Sequence, residues 1–136
     1  MPPRDRLTPV EWEIMEAVWA LGGGPSVRDV VDHAYPHGEK AYTTVQTLMN
    51  TLERKGVLRR RKVGLVNFYR PKRTRAQMAQ SEMGVLLERV FGGSLPELAS
   101  TLLAREDLDR TELAQIRRLL EERERELDAG EEEEPS

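Results

Sequence analysis

The chain of 136 residues contains no cysteine and only two histidines. The first absence removes disulfides, thiolate metal sites and thiol catalysis together. The second leaves only His33 and His37, whose i, i+4 spacing beside Asp32 resembles a metal pair. Pro36 interrupts the helix between them, so an ordinary polar helix end is the preferred reading, with no metal and no cofactor. No apolar run approaches the roughly 20 residues of a membrane span, and no apolar segment follows the N-terminus. A cytoplasmic protein without membrane insertion is therefore expected. The glycines at 22–24 and 92–93 lack the strand and lysine context of a phosphate loop. Acidic pairs such as Glu106-Asp107 and Glu121-Glu122 sit in charged stretches where solvation is favoured over acid/base chemistry. No catalytic constellation emerges, and an enzyme is not expected.

Charge is plentiful but unevenly placed. With 38% hydrophobic and 33% charged residues the core must be modest. Residues 1–73 carry 13 Lys/Arg against 8 Asp/Glu, a net +5, whereas residues 74–136 carry 8 against 16, a net −8. The basic half suits nucleic acid and the acidic half does not.

The basic half reads as three helices and a hairpin. Thr8 and Glu11 have capping-box spacing, Pro9 occupies the first helical position, and Leu7 and Trp12 are placed as a hydrophobic staple. Trp12, Ile14, Met15, Val18 and Trp19 are the expected core face of this helix, which ends at Gly22-Gly23-Gly24-Pro25. Ser26 caps a second helix with Val27, Val30, Val31 and Ala34 as its apolar stripe, broken by Pro36 and Gly38. A third helix carries Val45, Leu48, Met49 and Leu52 on one face. Its other face presents Thr44, Thr47, Asn50, Thr51 and Arg54, groups suited to base edges and phosphates. Thr43 and Gln46 have the spacing of a capping box, and Gly56 supplies the left-handed stop.

Val57 to Lys62 and Val66 to Arg70 then flank a turn at Val63-Gly64-Leu65, with β-branched and aromatic residues on both arms. Arg54, Lys55, Arg59, Arg60, Arg61 and Lys62 fall within nine positions. Such density repels itself unless an anion offsets it, and a phosphate backbone is the obvious anion. A solvated ribbon that protects a sheet edge is the simpler alternative.

The acidic half is helical and leucine-rich. Thr74 opens one helix, Gly92-Gly93 stop it, Ser94 and Pro96 start the next, and Asp109 with Glu112 caps a third. These helices lack obvious cover within the chain, which suggests a symmetric dimer. The predicted architecture is mainly α, a winged helix of three helices plus a β-hairpin wing, followed by a C-terminal helical arm. The expected segments are a DNA-binding domain at 7–73 that supplies its own core, a dimerisation domain at 74–128, and a disordered acidic tail at 129–136.

The segments LTPVEWEIMEAVW, SVRDVVDHA, AYTTVQTLMNTLERKGVL, FYRP, FGGS and EDLDRTELAQIRRLL run in order from Leu7 to Leu120. In these the chain resembles the penicillinase-repressor family of bacterial winged-helix regulators, which includes repressors of β-lactamase, methicillin-resistance and copper-transport operons. The resemblance implies a homodimeric transcriptional repressor bound to a two-fold symmetric double-stranded operator; operators of the family commonly contain TACA and TGTA elements. By position, Thr43, Thr44, Thr47, Asn50, Thr51 and Arg54 match its recognition helix, while Gln46 is open between capping and base reading. Arg59, Arg60, Arg61 and Lys62 match the first arm of its wing. At the wing tip, where many relatives carry a Gly-Arg pair, this chain has Gly64-Leu65. The dimer interface falls to Met83, Leu86, Leu87, Val90, Phe91, Leu98, Leu102, Leu113, Ile116 and Leu120.

The absence of cysteine excludes the mechanism of copper-responsive relatives, which carry a C-terminal cysteine cluster. Antibiotic-responsive relatives are cleaved at an Asn-Phe bond in a process linked to a membrane metalloprotease sensor. Counted back from Glu106-Asp107-Leu108, that bond falls at Thr101-Leu102, a different pair. The competing function is a winged-helix protein-interaction module without sequence-specific DNA binding.

Overall fold

The structure is a computed structural model that describes residues 6–133. Its elements in chain order are α1 (Pro9–Leu21), α2 (Val27–Ala34), α3 (Tyr42–Arg54), β1 (Leu58–Val63), β2 (Val66–Pro71), α4 (Arg75–Phe91), α5 (Leu95–Leu103) and α6 (Arg110–Glu133). Mainly helical, with an antiparallel hairpin after the third helix, this is the expected winged helix with a helical arm. It divides into two compact units, Met1–Leu86 and Leu87–Ser136.

Local sequence accounts for most boundaries. Thr8 and Ser26 each accept from the backbone amide three residues on, and Glu11 and Asp29 reciprocate, so α1 and α2 both begin with complete capping boxes. The third helix departs from expectation. It starts at Tyr42 with Ala41 as N-cap and has no side-chain cap. Thr43 therefore lies inside the first turn, and Gln46 is not spent on capping. The helix begins as soon as the chain leaves the Gly38 turn (φ 76), before Thr43 can act as a cap. Its other end is a Schellman closure: Val57 N–H donates to Leu52 O at 3.0 Å and Gly56 N–H to Glu53 O at 3.0 Å, with Gly56 at φ 79.

The core of the first unit joins α1 (Ile14, Met15, Val18), α2 (Val27, Val30) and α3 (Val45, Met49, Leu52) to Val57, Leu58 and Tyr69 of the hairpin. Trp12 and Trp19 flank it edge to face, with ring centroids 5.5 Å apart. β1 and β2 pair from Leu58↔Pro71 to Val63↔Val66, leaving Gly64-Leu65 as a two-residue turn with Gly64 at φ 63. β2 is also tied to the start of α2 by a Ser26↔Phe68 bridge and by Tyr69 N–H donating to Pro25 O at 2.9 Å.

The division at Arg73 expected from sequence does not coincide with the packing. Met78 of α4 is fully buried in the first unit's core. Trp19 Nε1 donates to Arg73 O at 3.0 Å, Arg75 Nε lies 2.9 Å from Glu16 Oε1, and Arg6 pairs with Glu82 at 3.6 Å. The first turns of α4 are thus part of the winged-helix unit, because an apolar Met78 has more to gain in its core than in water.

The second unit is built differently. Ser94 caps α5, and Asp109 with Glu112 forms a box at the start of α6, as the sequence predicts. Between them Arg105 makes a two-pronged contact to Asp107 at 2.9 and 2.7 Å. Yet none of residues 95–103 of α5 or 110–132 of α6 is buried. The tail expected to be disordered at 129–136 is helical as far as Glu133, and residues 134–136 lie outside the described residues. Glu and Ala are good helix formers, Arg123 pairs with Glu126 at 2.9 Å, and the single Gly130 does not offset them.

Candidate nucleic-acid interface

The outward face of α3 begins with its hydroxyls. Thr47 Oγ1 donates to Thr43 O at 2.9 Å and Thr51 Oγ1 donates to Thr47 O at 3.0 Å. Each threonine has therefore committed its proton to the backbone and presents a methyl group and free lone pairs. Arg54 Nη2 donates to Thr51 Oγ1 at 3.1 Å, which steadies the guanidinium at the helix end. Thr43, Thr44, Thr47 and Arg54 are exposed, and Gln46, Asn50 and Thr51 are half-buried. The eleven-residue set drawn from the sequence thus lies on one helix and the adjoining strand.

Strand alternation sorts the wing cations. Arg60 and Lys62 stand opposite Tyr69 and Asn67, on the face that carries buried Leu58 and Tyr69. Arg59 and Arg61 stand opposite Arg70 and Phe68 on the other face. All four are exposed, but only Arg60 and Lys62 share a face with the side chain that reaches α3. The tip itself is apolar: Leu65 is 96% exposed and no cation occupies the turn.

Two residues in this region have partners that the sequence pattern did not reveal. Lys55, counted among the cations needing a phosphate, instead holds Glu11 Oε1 at 2.7 Å and Arg6 O at 3.3 Å. Burial would raise the Glu11 carboxyl, but Lys55 and the Thr8 hydrogen bonds outweigh it and hold the group below its ordinary value. The dense basic run is thus partly neutralised from within. Tyr69, fully buried, donates its hydroxyl to Asn50 Oδ1 at 2.8 Å. Burial pushes this hydroxyl above its ordinary value, and the Arg60 guanidinium beside it partly offsets the effect. Period-two alternation places Tyr69 on the inner face, but no local signal names its partner nineteen residues away.

Tyr35 steadies the region from behind. Its hydroxyl donates to Glu13 at 3.1 Å and is pushed up to about 12 by burial first and by Glu13 second. Arg28 lies over the Tyr42 ring at 4.9 Å, joining α2 to the start of α3. His33 is the penultimate residue of α2 and His37 lies beyond its end, so the two histidines share no helix face.

A polar-faced third helix, backed by three-helix packing and flanked by a basic two-stranded ribbon, defines a winged-helix regulator. The chain belongs to the penicillinase repressor family, whose profile matches residues 7–122. It is 28% identical over 116 residues to a 16.5 kDa protein from the ptsI 3′ region of Latilactobacillus sakei, covering 85% of this chain and 79% of that one. It is 23% identical over 110 residues to the penicillinase repressor of Staphylococcus aureus, covering 81% and 86% respectively. With the methicillin resistance regulatory protein MecI of Mammaliicoccus sciuri it shares 21% identity over 114 residues, 84% and 92% of the two chains. Proteins of this family are transcriptional repressors, regulators rather than enzymes. No helix among the described residues is long and apolar enough to cross a membrane.

Proposed function

We propose that this protein is a cytoplasmic repressor that binds a two-fold symmetric DNA operator as a homodimer. The observation that carries the reading is the exposed polar face of α3 beside the exposed cations Arg59, Arg60, Arg61 and Lys62. Threonine methyls and lone pairs, Gln46 and Arg54 suit the major groove, and wing cations suit the phosphates beside it. The repressors of known name among its relatives support the same reading.

Dimerisation through the second unit is supported by its lack of a core. Val90 is 63% exposed and Leu120 58% exposed, and none of Leu87, Phe91, Leu98, Leu102, Leu113 and Ile116 is buried within the chain; Met83 and Leu86, at the end of the first unit, are exposed as well. Apolar helices this open are covered most economically by a second copy. Release by proteolysis, with a membrane metalloprotease sensor as partner, completes the proposal. Thr101-Leu102 lies in the last turn of α5, where Thr101 Oγ1 donates to Glu97 O at 3.0 Å, so cleavage there requires α5 to unwind first.

Selection of duplexes from a random library by the full-length protein tests the reading. A recovered palindrome, bound with a steep salt dependence, is the expected result. Recovery of no preferred sequence, with weak salt dependence, would leave a protein-interaction module.

A further inference from the structure

We propose that Tyr69 is a positioning residue that sets how the wing sits against α3, and that it does so through Asn50 without touching DNA. The proposal rests on the DNA-reading role given above for α3.

Tyr69 is held from three directions. Its backbone amide donates to Pro25 O at 2.9 Å, its ring is fully buried in the core, and its hydroxyl donates to Asn50 Oδ1 at 2.8 Å. Arg60 is its cross-strand partner on β1. The phenol oxygen gives its proton to α3, so Tyr69 joins the wing to that helix through Asn50. A phenol has one proton to donate, so this bond also fixes the plane of the Asn50 amide. A bidentate contact to adenine needs the amide oxygen as acceptor and the amide nitrogen as donor together. With one lone pair of Oδ1 taken by Tyr69, the setting of the Asn50 amide on α3 is tied to the wing. Asn50 therefore holds the wing to the helix whatever else its amide meets.

The geometry has a consequence for specificity. A wing free to swing can still meet phosphates on any duplex, whereas base reading by α3 needs helix and wing in one fixed relation. Loss of the hydroxyl should therefore reduce discrimination more than it reduces general affinity.

The test uses full-length protein with two duplexes, the sequence recovered by selection and a scrambled duplex of equal length and composition. Tyr69→Phe keeps the ring in the core and removes only the hydroxyl. It should weaken binding to the selected duplex roughly fivefold to tenfold, the worth of one hydrogen bond, and change binding to the scrambled duplex less than about twofold. Asn50→Ala breaks the same bond from the helix side, and the double variant should be no worse than either single one. Without DNA, hydrogen exchange at the β1 and β2 amides should quicken in both variants while the thermal transition stays cooperative. Equal losses on both duplexes, or fully additive losses, would overturn the proposal. Faster exchange in the wing of a protein that selects no duplex would uphold the joint and refute the DNA reading instead.

Discussion

Lys55 Nζ stands 2.7 Å from Glu11 Oε1, joining the residue after α3 to the first turn of α1, with Glu11 only 2% exposed. The same carboxylate oxygen accepts from Thr8 N–H at 2.9 Å, so one acid closes a capping box and clamps two helices.

Removing the lysine leaves a buried carboxylate without its cation. Lys55→Ala should therefore cost about 2–4 kcal/mol of folding stability, although Lys55 belongs to the run of residues that sequence assigns to DNA. Urea unfolding of both proteins at neutral pH measures the difference. A cost near zero would return Lys55 to the pool of phosphate contacts.

The same pair makes a pH prediction. The Glu11 carboxyl is held below its ordinary value, so its contribution is complete above that value and is lost as pH falls through the lowered one. The stability gap between wild type and Lys55→Ala should therefore be widest at neutral pH and close on acidification, as the carboxyl protonates. A gap that widens on acidification would contradict this sign.

Wing cations should be unequal. Arg60→Ala should reduce the salt slope of binding by about 0.9 if it neutralises one phosphate, with Lys62→Ala similar. Arg59→Ala and Arg61→Ala should alter it less, because their strand face points away from Tyr69 and α3. Titrations at several salt concentrations decide this, and four identical slopes would mean that the hairpin lies on DNA by its edge.

Truncation should respect the packing rather than the charge boundary. A fragment ending at Leu86 keeps Met78 and Glu82 and should fold as a monomer, binding the full operator about 100-fold more weakly than the dimer for want of avidity. One ending at Arg73 loses Met78 and should be less stable than the longer fragment by about 2–5 kcal/mol. Denaturation and sedimentation of the two fragments check both statements.

A charge in the apolar strip of α6 should separate the protomers. Leu120→Glu should weaken self-association by about 100-fold or more, since each protomer would place a desolvated carboxylate in the contact. Helical content of the isolated subunits would fall with it if α5 and α6 depend on the partner for cover. Sedimentation equilibrium with circular dichroism reads both, and an unchanged dimer would place the interface elsewhere.

What sequence alone determined here is local. Thr8 with Glu11 and Ser26 with Asp29 cap their helices over three residues, Gly56 ends α3 because only that conformation lets Val57 reach Leu52, and period-two alternation puts Tyr69 inward. The apolar stripe of α3 likewise announced Val45, Met49 and Leu52 as core. Tertiary structure decided the pairings that span long stretches of chain: Lys55 with Glu11, Tyr69 with Asn50, and Met78 with the core of the first unit. A hydrogen bond three residues away is set by backbone geometry, so composition and spacing reveal it. A lysine or a tyrosine hydroxyl takes whichever partner the packed helices bring within about 3 Å, and that choice exists only once the core has closed.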